Sequence, residues 1–131
     1  MPITALYAAL LAPLFLVLSV RVIGRRREAR VSIGPGEDAE LLRRMRVHAN
    51  FAEYAPFALV LLALAESVAT PALVMHAAGA ILLVGRYVHA YGVSQSPERI
   101  PIRVFGMVST FTSISIAALA CIYGAALNLF A

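Results

Sequence analysis

The sequence predicts an all-α integral membrane protein, a bundle of four spanning helices. Of its 131 residues, 61% are hydrophobic and only 14% are charged, and the mean hydropathy is +0.84. Soluble domains typically contain about 45 to 50% apolar and about 25% charged residues. Because a spanning helix needs about 20 residues, the chain accommodates four spans in a single domain, residues 1–131. The expected spans are approximately 3–22, 42–67, 71–93 and 103–129.

The first span is the uncharged segment from Met1 to Val20. It lacks the basic residues that precede the apolar core of a cleavable signal peptide, so we expect a retained helix. Pro13 lies inside this span and predicts a kink, which a membrane helix tolerates. A charged loop is predicted from Arg21 to Glu37, where Gly34-Pro35-Gly36 breaks any helix.

The remaining spans are bounded by residues that cap or break helices. Helix 2 is predicted to begin near Glu37 or Asp38, because acidic residues after a Pro/Gly break favour a helix N-terminus. At about 45 Å it exceeds the hydrocarbon thickness of about 30 Å, so its first turns extend into water. Thr70 as N-cap and Pro71 at the first helical position open helix 3. Helix 4 follows a proline-containing loop and fills the uncharged stretch 104–131.

Arginine is distributed unevenly along the chain. All 11 basic residues are Arg, and eight of them lie between Arg21 and Arg46, whereas the N-terminus, residues 67–70 and the C-terminus contain none. Because short arginine-rich loops stay in the cytosol, both termini are predicted to face away from it. The expected location is a bacterial inner membrane, with the polar site near the cytosolic face.

The formal charge of +4 could indicate a nucleic-acid partner. The arginines of the first loop directly follow an apolar run, however, and this arrangement suits anionic lipid headgroups better. No nucleic acid is therefore predicted as a partner. No His, Cys or carboxylate cluster has the spacing of metal ligands, so no metal is predicted either.

Helix 2 carries a polar stripe at membrane depth. Arg46, Asn50 and Glu53 are spaced i, i+4, i+7, which places them within about 60° of one another on one helix face. Tyr54 lies at the edge of this stripe. Ionisable residues are costly inside a membrane, so the stripe indicates a functional site.

Helix 3 adds Arg86 and His89, spaced i, i+3 at a similar depth. One interpretation of Glu53 and Arg86 is an interhelical ion pair that fixes how the spans pack. Such a pair does not account for the other arginines at the same end, which outnumber the acids available to neutralise them. The surplus charge indicates an anionic ligand. Since Arg binds carboxylates bidentately, a small molecule with several carboxylates fits best.

Residues 46–56, RVHANFAEYAP, resemble the R-x-x-x-N-x-x-E-Y-x-P signature of the MAPEG family, the membrane-associated proteins of eicosanoid and glutathione metabolism. The family includes microsomal glutathione transferases, leukotriene C synthase and membrane prostaglandin E synthase. A second stretch, Gly85 to His89 followed by Arg99 to Arg103, is similar to the helix 3 arginine and following loop of the prostaglandin E synthase type. The resemblance covers the whole four-span plan.

The resemblance implies a homotrimer that binds glutathione as cosubstrate between adjacent subunits. The thiol would attack a lipophilic electrophile or reduce a peroxide. Matched position by position, the resemblance implies Arg103 as the catalytic residue facing the thiol, whose pKa of about 8.5 is lowered by nearby cations and helix N-termini. The glutathione-binding residues implied in the same way are Arg46, Asn50, Glu53, Tyr54, Arg86 and His89.

The chain departs from the family pattern at two positions. Val93 stands where some relatives have Tyr, and Val104 stands where prostaglandin E synthase has Ser after its catalytic Arg, which argues against that isomerase chemistry. A non-catalytic membrane protein that retains the fold is therefore the alternative. A four-span exporter is disfavoured because the first span contains no acid. The weaker site candidates are Arg21, Arg25, Arg26, Tyr91 and Arg99.

Overall fold

A computed structural model describes residues 1–130 as four long α-helices joined by short loops. The helices are α1 (Pro2–Ala29), α2 (Ala39–Ser67), α3 (Ala72–Ser94) and α4 (Ile100–Phe130). Each is long and apolar enough to cross a membrane. The predicted all-α class with four membrane spans is therefore confirmed. The last residue of the predicted domain, Ala131, lies outside the described residues.

The segment after the first apolar run is helical, which corrects the predicted loop from Arg21. Helix α1 continues to Ala29, because Arg, Glu and Ala all have high helix propensity. The charges therefore extend the helix beyond the apolar run instead of ending it. The chain turns at Arg30, whose φ of 55° is left-handed, and at Gly34 and Gly36, which also have positive φ.

Helix α2 begins where the sequence predicted, since the Asp38 carboxylate accepts a hydrogen bond from the Leu41 N–H at 2.8 Å and caps the helix. The predicted N-cap of helix 3, Thr70, is wrong. The Thr70 N–H donates to the Ala65 carbonyl at 3.3 Å, so Thr70 belongs to the turn that follows α2. Pro71 occupies the N-cap position of α3 instead.

Helix α4 begins at Ile100, earlier than the predicted start at residue 103. Pro101 does not delay the helix, because a proline in the first turn gives up only an N–H that has no intrahelical partner. The Arg103 N–H donates to the Arg99 carbonyl at 3.1 Å. Arg103 therefore lies within the ordered start of α4.

The short connections make consecutive helices antiparallel. Residues 30–38 and 95–99 lie at one end, named here the arginine-rich end. The start of α1, residues 68–71 and the end of α4 lie at the other, named the terminal end. Helix α3 packs most extensively on α4, whereas within residues 1–130 no Cα atom of α1 lies within 8 Å of a Cα atom of α4. The apolar core includes Leu11, Leu18, Val47, Phe51, Leu62, Met75, Leu82 and Ala117.

Two glycines bring α3 and α4 close together at the arginine-rich end. A Cβ on Gly92 would lie 2.7 Å from the backbone nitrogen of Arg103, and a Cβ on Gly106 would lie 2.6 Å from the Cβ of His89. Small residues allow such close helix approach in membrane proteins. The glycines therefore fix the distance between His89 on α3 and Arg103 on α4.

Polar groups at the terminal end pair with one another inside the chain. The Glu66 carboxylate, in the last turn of α2, accepts hydrogen bonds from the N–H groups of Ile3 at 3.0 Å and Thr4 at 2.8 Å. The Thr4 hydroxyl donates to the same carboxylate at 2.7 Å. The first N–H groups of a helix have no intrahelical acceptor, so Glu66 caps α1 from a neighbouring helix. The Tyr7 hydroxyl similarly donates to the His76 carbonyl at 3.0 Å.

Candidate functional site

A polar cleft of about 380 Å³ lies at the arginine-rich end, between α2, α3 and the start of α4. It is lined by Ala39, Leu42, Arg43, Arg46, Asn50, His89, Val93, Glu98 and Arg103. Three of these residues are arginines and Glu98 is the single acid, so the lining carries a surplus of positive charge. The structure thus brings four of the residues predicted from the sequence, Arg46, Asn50, His89 and Arg103, into one cavity.

Arg86 lies behind this lining and is only 1% exposed. Its Nη2 donates to the Oδ1 of Asn50, and its Nη1 donates to the Thr110 hydroxyl at 3.3 Å. The guanidinium carbon is 5.9 Å from the ring centroids of both Phe51 and Tyr54, within the range of a cation–π contact. Side chains from α2 and α4 therefore hold this α3 arginine.

His89 lies one helical turn after Arg86 and is 2% exposed. Its Nδ1 is 3.2 Å from the Nη2 of Arg86. Because a guanidinium has only donors, Nδ1 must be the acceptor in this contact. In this arrangement the imidazole is neutral, with its proton on Nε2. His89 is also one of the residues that line the cleft.

The interhelical ion pair between Glu53 and Arg86 is not formed in the described chain, which corrects that interpretation. None of the four ion pairs among residues 1–130 includes either residue. The Nε of Arg86 also has no hydrogen-bond partner among these residues. A buried guanidinium that contacts only neutral groups keeps its charge uncompensated, an arrangement that favours an anion nearby.

Glu53 lies instead on the exposed surface of α2. It follows Asn50 by one turn on the same stripe, about 4.5 Å further along the helix axis. It is not part of the cleft lining. Tyr54, the other stripe residue outside the lining, is half-buried and packs its ring edge-on against Phe111 with a centroid separation of 5.6 Å.

Arg103 lies at the edge of the cleft with its side chain 51% exposed. Its Nη1 is 2.9 Å from the Oε1 of Glu98, which belongs to the connection between α3 and α4. Glu98 was not predicted from the sequence as a site residue. Its position in the sequence could have indicated this role, because Glu98 precedes Arg103 by five residues and lies just before the start of a helix.

Two further contacts of the site were not predicted. Arg43 lines the cleft and donates to the Gln95 carbonyl at 2.9 Å, which ties α2 to the connection between α3 and α4. Its i, i+3 spacing from Arg46 places it on the same face and could have revealed it. No sequence pattern could have revealed Thr110, because it lies in an uncharged span and contacts Arg86 only through the packing of α3 on α4.

The weaker candidates lie outside the cleft lining. Arg21 donates to the Ser94 hydroxyl at 3.0 Å and lines, with Tyr91, a separate groove of about 360 Å³ between α1 and α3. Arg26 donates to the Gly34 carbonyl at 2.8 Å and helps to hold the first loop. Arg99 is exposed.

Arg25 forms an ion pair with Asp38 at 2.9 Å and a second with Glu28 at 3.0 Å. The hydrogen bond from the Leu41 N–H, together with the Arg25 guanidinium, holds the pKa of Asp38 below its ordinary value of 3.8. Arg25 thus joins the end of α1 to the start of α2. Within residues 1–130, no group of three or more His, Cys, Asp or Glu side chains could hold a metal ion.

Four apolar helices with an arginine-lined cleft at one end define an integral membrane protein whose polar chemistry is concentrated there. The profile of the MAPEG family matches residues 4–123. The chain therefore belongs to the MAPEG family, as its helix 2 signature indicated.

Curated relatives support this membership. Inner membrane protein YecN of Escherichia coli (strain K12) is 36% identical over 118 residues, which cover 90% of this chain and 88% of that protein. The protein of the same name from Escherichia coli O6:H1 (strain CFT073) gives the same values.

Proposed function

We propose that this protein is a membrane-bound glutathione transferase that uses the arginine-lined cleft to hold glutathione and activate its thiol. The observation that carries the proposal is the charge of the site: Arg43, Arg46 and Arg103 line the cleft, Arg86 lies behind it, and Glu98 is the single acid among the lining residues. Glutathione has two carboxylates, one ammonium group and a thiol. A cleft rich in guanidinium groups is complementary to such a ligand.

The contacts of Arg86 support a binding role for the inner part of the cleft. In the proposal, Arg46, Asn50 and His89 bind polar groups of the tripeptide, and Arg86 supplies the positive charge for one carboxylate. Asn50 and His89 touch both the cleft and Arg86. A ligand carboxylate in the cleft beside Asn50 and His89 would therefore compensate the charge of Arg86, which the described chain leaves uncompensated.

Arg103 is the proposed catalytic residue. A guanidinium beside the thiol lowers the pKa of the thiol and raises the fraction of thiolate, which is the nucleophile. The thiolate sulfur then forms a bond to the electrophilic carbon, while the leaving group departs with its electron pair. The thiol proton passes to water at the open side of the cleft. Reduction of a hydroperoxide is the second reaction that the same thiolate could perform.

The exposure of Glu53 on α2 supports the proposal of a homotrimer. A carboxylate that faces hydrocarbon is costly, and Glu53 is exposed near the middle of α2. The exposed face of α2 also presents Phe57, Val60 and Leu64. A neighbouring copy packed on this face would cover Glu53 and close the cleft beside Arg46, so that glutathione binds between subunits.

We also propose that the protein resides in an inner membrane, as the name of its relative states for that protein. The arginine-rich end would then face the cytosol and both termini would face away from it. Labelling of a terminal tag from the cytosolic side would contradict this orientation.

The alternative function is a non-catalytic membrane protein that has kept the fold. Val93 favours it, because this apolar residue lines the cleft where some relatives have a Tyr. One contact to the thiol or the peptide would then be missing. This alternative predicts binding without turnover, or no binding.

The purified protein in detergent can decide between these functions. We expect saturable glutathione binding in equilibrium dialysis and glutathione conjugation of a chlorodinitrobenzene, with cumene hydroperoxide as a second substrate. Binding without turnover of either substrate would favour the non-catalytic alternative, and the absence of binding would contradict the proposed function.

Light scattering of the same preparation tests the assembly. We expect the mass of a trimer, with one bound glutathione per chain. A monomer that still binds glutathione would contradict the intersubunit site.

A further inference from the structure

The arginine-lined cleft contains one acid, and this acid is paired with the proposed catalytic arginine. Glu98 and Arg103 form an ion pair of 2.9 Å, with side chains 31% and 51% exposed. Each lines the cleft directly. Any ligand that uses the Arg103 guanidinium therefore meets Glu98 as well.

The backbone holds the two partners at a fixed separation. The Arg99 N–H donates to the Gly92 carbonyl at 3.2 Å, and the Arg103 N–H donates to the Arg99 carbonyl at 3.1 Å. Gly92 also lies against the backbone of Arg103, with no space for a Cβ. Glu98 is thus attached to a connection that is bonded to α3 before it and to α4 after it.

The pair leaves part of the guanidinium free. Arginine has five N–H donors in a planar fork, and Glu98 accepts from Nη1 alone. The remaining donors of Arg103 can contact a thiolate while Glu98 holds the group in place. A carboxylate close to a thiolate also repels it, so the same contact that orients Arg103 weakens its effect on the thiol.

Other charged and titratable groups face the same space from each surrounding element. Arg43 and Arg46 do so from α2 and His89 from α3, with Arg86 behind His89. Glu98 is the only one of these groups that carries a negative charge. Removal of the Glu98 charge would therefore make the net charge of the cleft more positive.

We propose that Glu98 is a positioning residue, which orients the Arg103 guanidinium in the cleft and limits how strongly that arginine favours the glutathione thiolate. This inference rests on the proposed function, because it needs glutathione in the cleft. A determinant of thiol reactivity would thus lie in the connection between α3 and α4, outside the helix 2 signature.

Glu98→Gln tests the proposal, because the amide keeps an oxygen acceptor for Arg103 but removes the negative charge. The readout is the pH at which bound glutathione is half ionised, followed by the ultraviolet absorbance of the thiolate. We expect this midpoint to fall by about half a unit to one unit, with a corresponding gain in turnover near neutral pH of roughly three- to tenfold. Glu98→Ala, which also removes the acceptor, is expected to lose this gain because Arg103 is no longer oriented.

The matched control is Glu37→Gln, which removes an exposed acid at the same end but outside the cleft. It is expected to leave the midpoint unchanged. A midpoint in Glu98→Gln equal to that of the wild type would overturn the proposal, as would an equal shift in Glu37→Gln, since the effect would then reflect net charge alone.

Binding of S-methylglutathione to the wild type separates this proposal from the proposed function. This probe occupies the cleft without an ionisable thiol. If the wild type does not bind it, both proposals fail. If the wild type binds it and Glu98→Gln leaves the thiolate midpoint in place, only the role of Glu98 fails.

Discussion

The two ends of the bundle use polar side chains in different ways. At the terminal end, Glu66 accepts hydrogen bonds from Thr4 and the start of α1, and Tyr7 donates to a carbonyl of α3. At the arginine-rich end, Arg86 contacts only neutral groups and three arginines line a cleft with one acid. Polar groups that satisfy one another hold helices together, whereas a surplus of one charge is suited to a ligand. The following variants test this distinction.

The largest effect is expected for Arg86→Met. Glutathione affinity should fall roughly 10- to 100-fold, because the variant removes the positive charge behind the cleft together with the hydrogen bonds that hold Asn50 and His89, and a hydrogen bond to a charged group contributes about 1.5 to 3 kcal/mol. The melting temperature should stay the same or rise, because an apolar side chain at this buried position needs no charge partner. Equilibrium dialysis and thermal unfolding in detergent measure the two quantities. A lower melting temperature with unchanged affinity would make Arg86 a structural residue like Glu66.

Arg103→Ala should separate binding from chemistry. We expect turnover near neutral pH to fall roughly tenfold, since a loss of one pKa unit of thiol activation reduces the thiolate fraction by about that factor. Glutathione affinity should change little, because Arg46 and Arg86 remain. Raising the pH should restore much of the rate. A variant that turns over like the wild type from about pH 6 to about pH 9 would remove Arg103 from the mechanism.

Glu66→Gln examines the opposite end. It weakens the cap of α1, and we expect the free energy of unfolding to fall by about 1 kcal/mol because the bonds are partly exposed to water. Glutathione affinity should not change. Ser67→Ala is the matched control, since Ser67 is exposed and bonds only within its own helix. A change in glutathione affinity in Glu66→Gln would show that the two ends are coupled.

The smallest effect concerns the junction of α1 and α2. The pKa of Asp38 is lowered in the folded protein by the Leu41 N–H and by Arg25. Its contribution to stability is therefore present above the ordinary pKa of 3.8 and is lost as the pH falls through the lower folded value. Thermal unfolding of Asp38→Asn should show a smaller loss of stability below about pH 4 than the wild type. If the stability of both proteins falls equally with decreasing pH, groups other than Asp38 cause the acid sensitivity.

Much of the fold could be predicted from residue order, because hydropathy and helical periodicity are local properties. The four apolar stretches determined the number of spans, and the spacing of Arg46, Asn50 and Glu53 determined that they share a helix face. The helix boundaries predicted near Arg21 and Thr70 were wrong. There, charged residues with good helix propensity and a backbone hydrogen bond decided the outcome.

The partners across helices were decided only by the tertiary structure. From sequence, Glu53 was as plausible a partner for Arg86 as any residue at that depth, yet Asn50 and Thr110 bind it and Glu53 is exposed. Which side chains meet depends on how each helix is rotated about its axis, and this rotation follows from close packing, as where Gly106 admits the backbone of His89. Because a one-residue change of spacing rotates a side chain by about 100°, no local pattern could have selected these pairs.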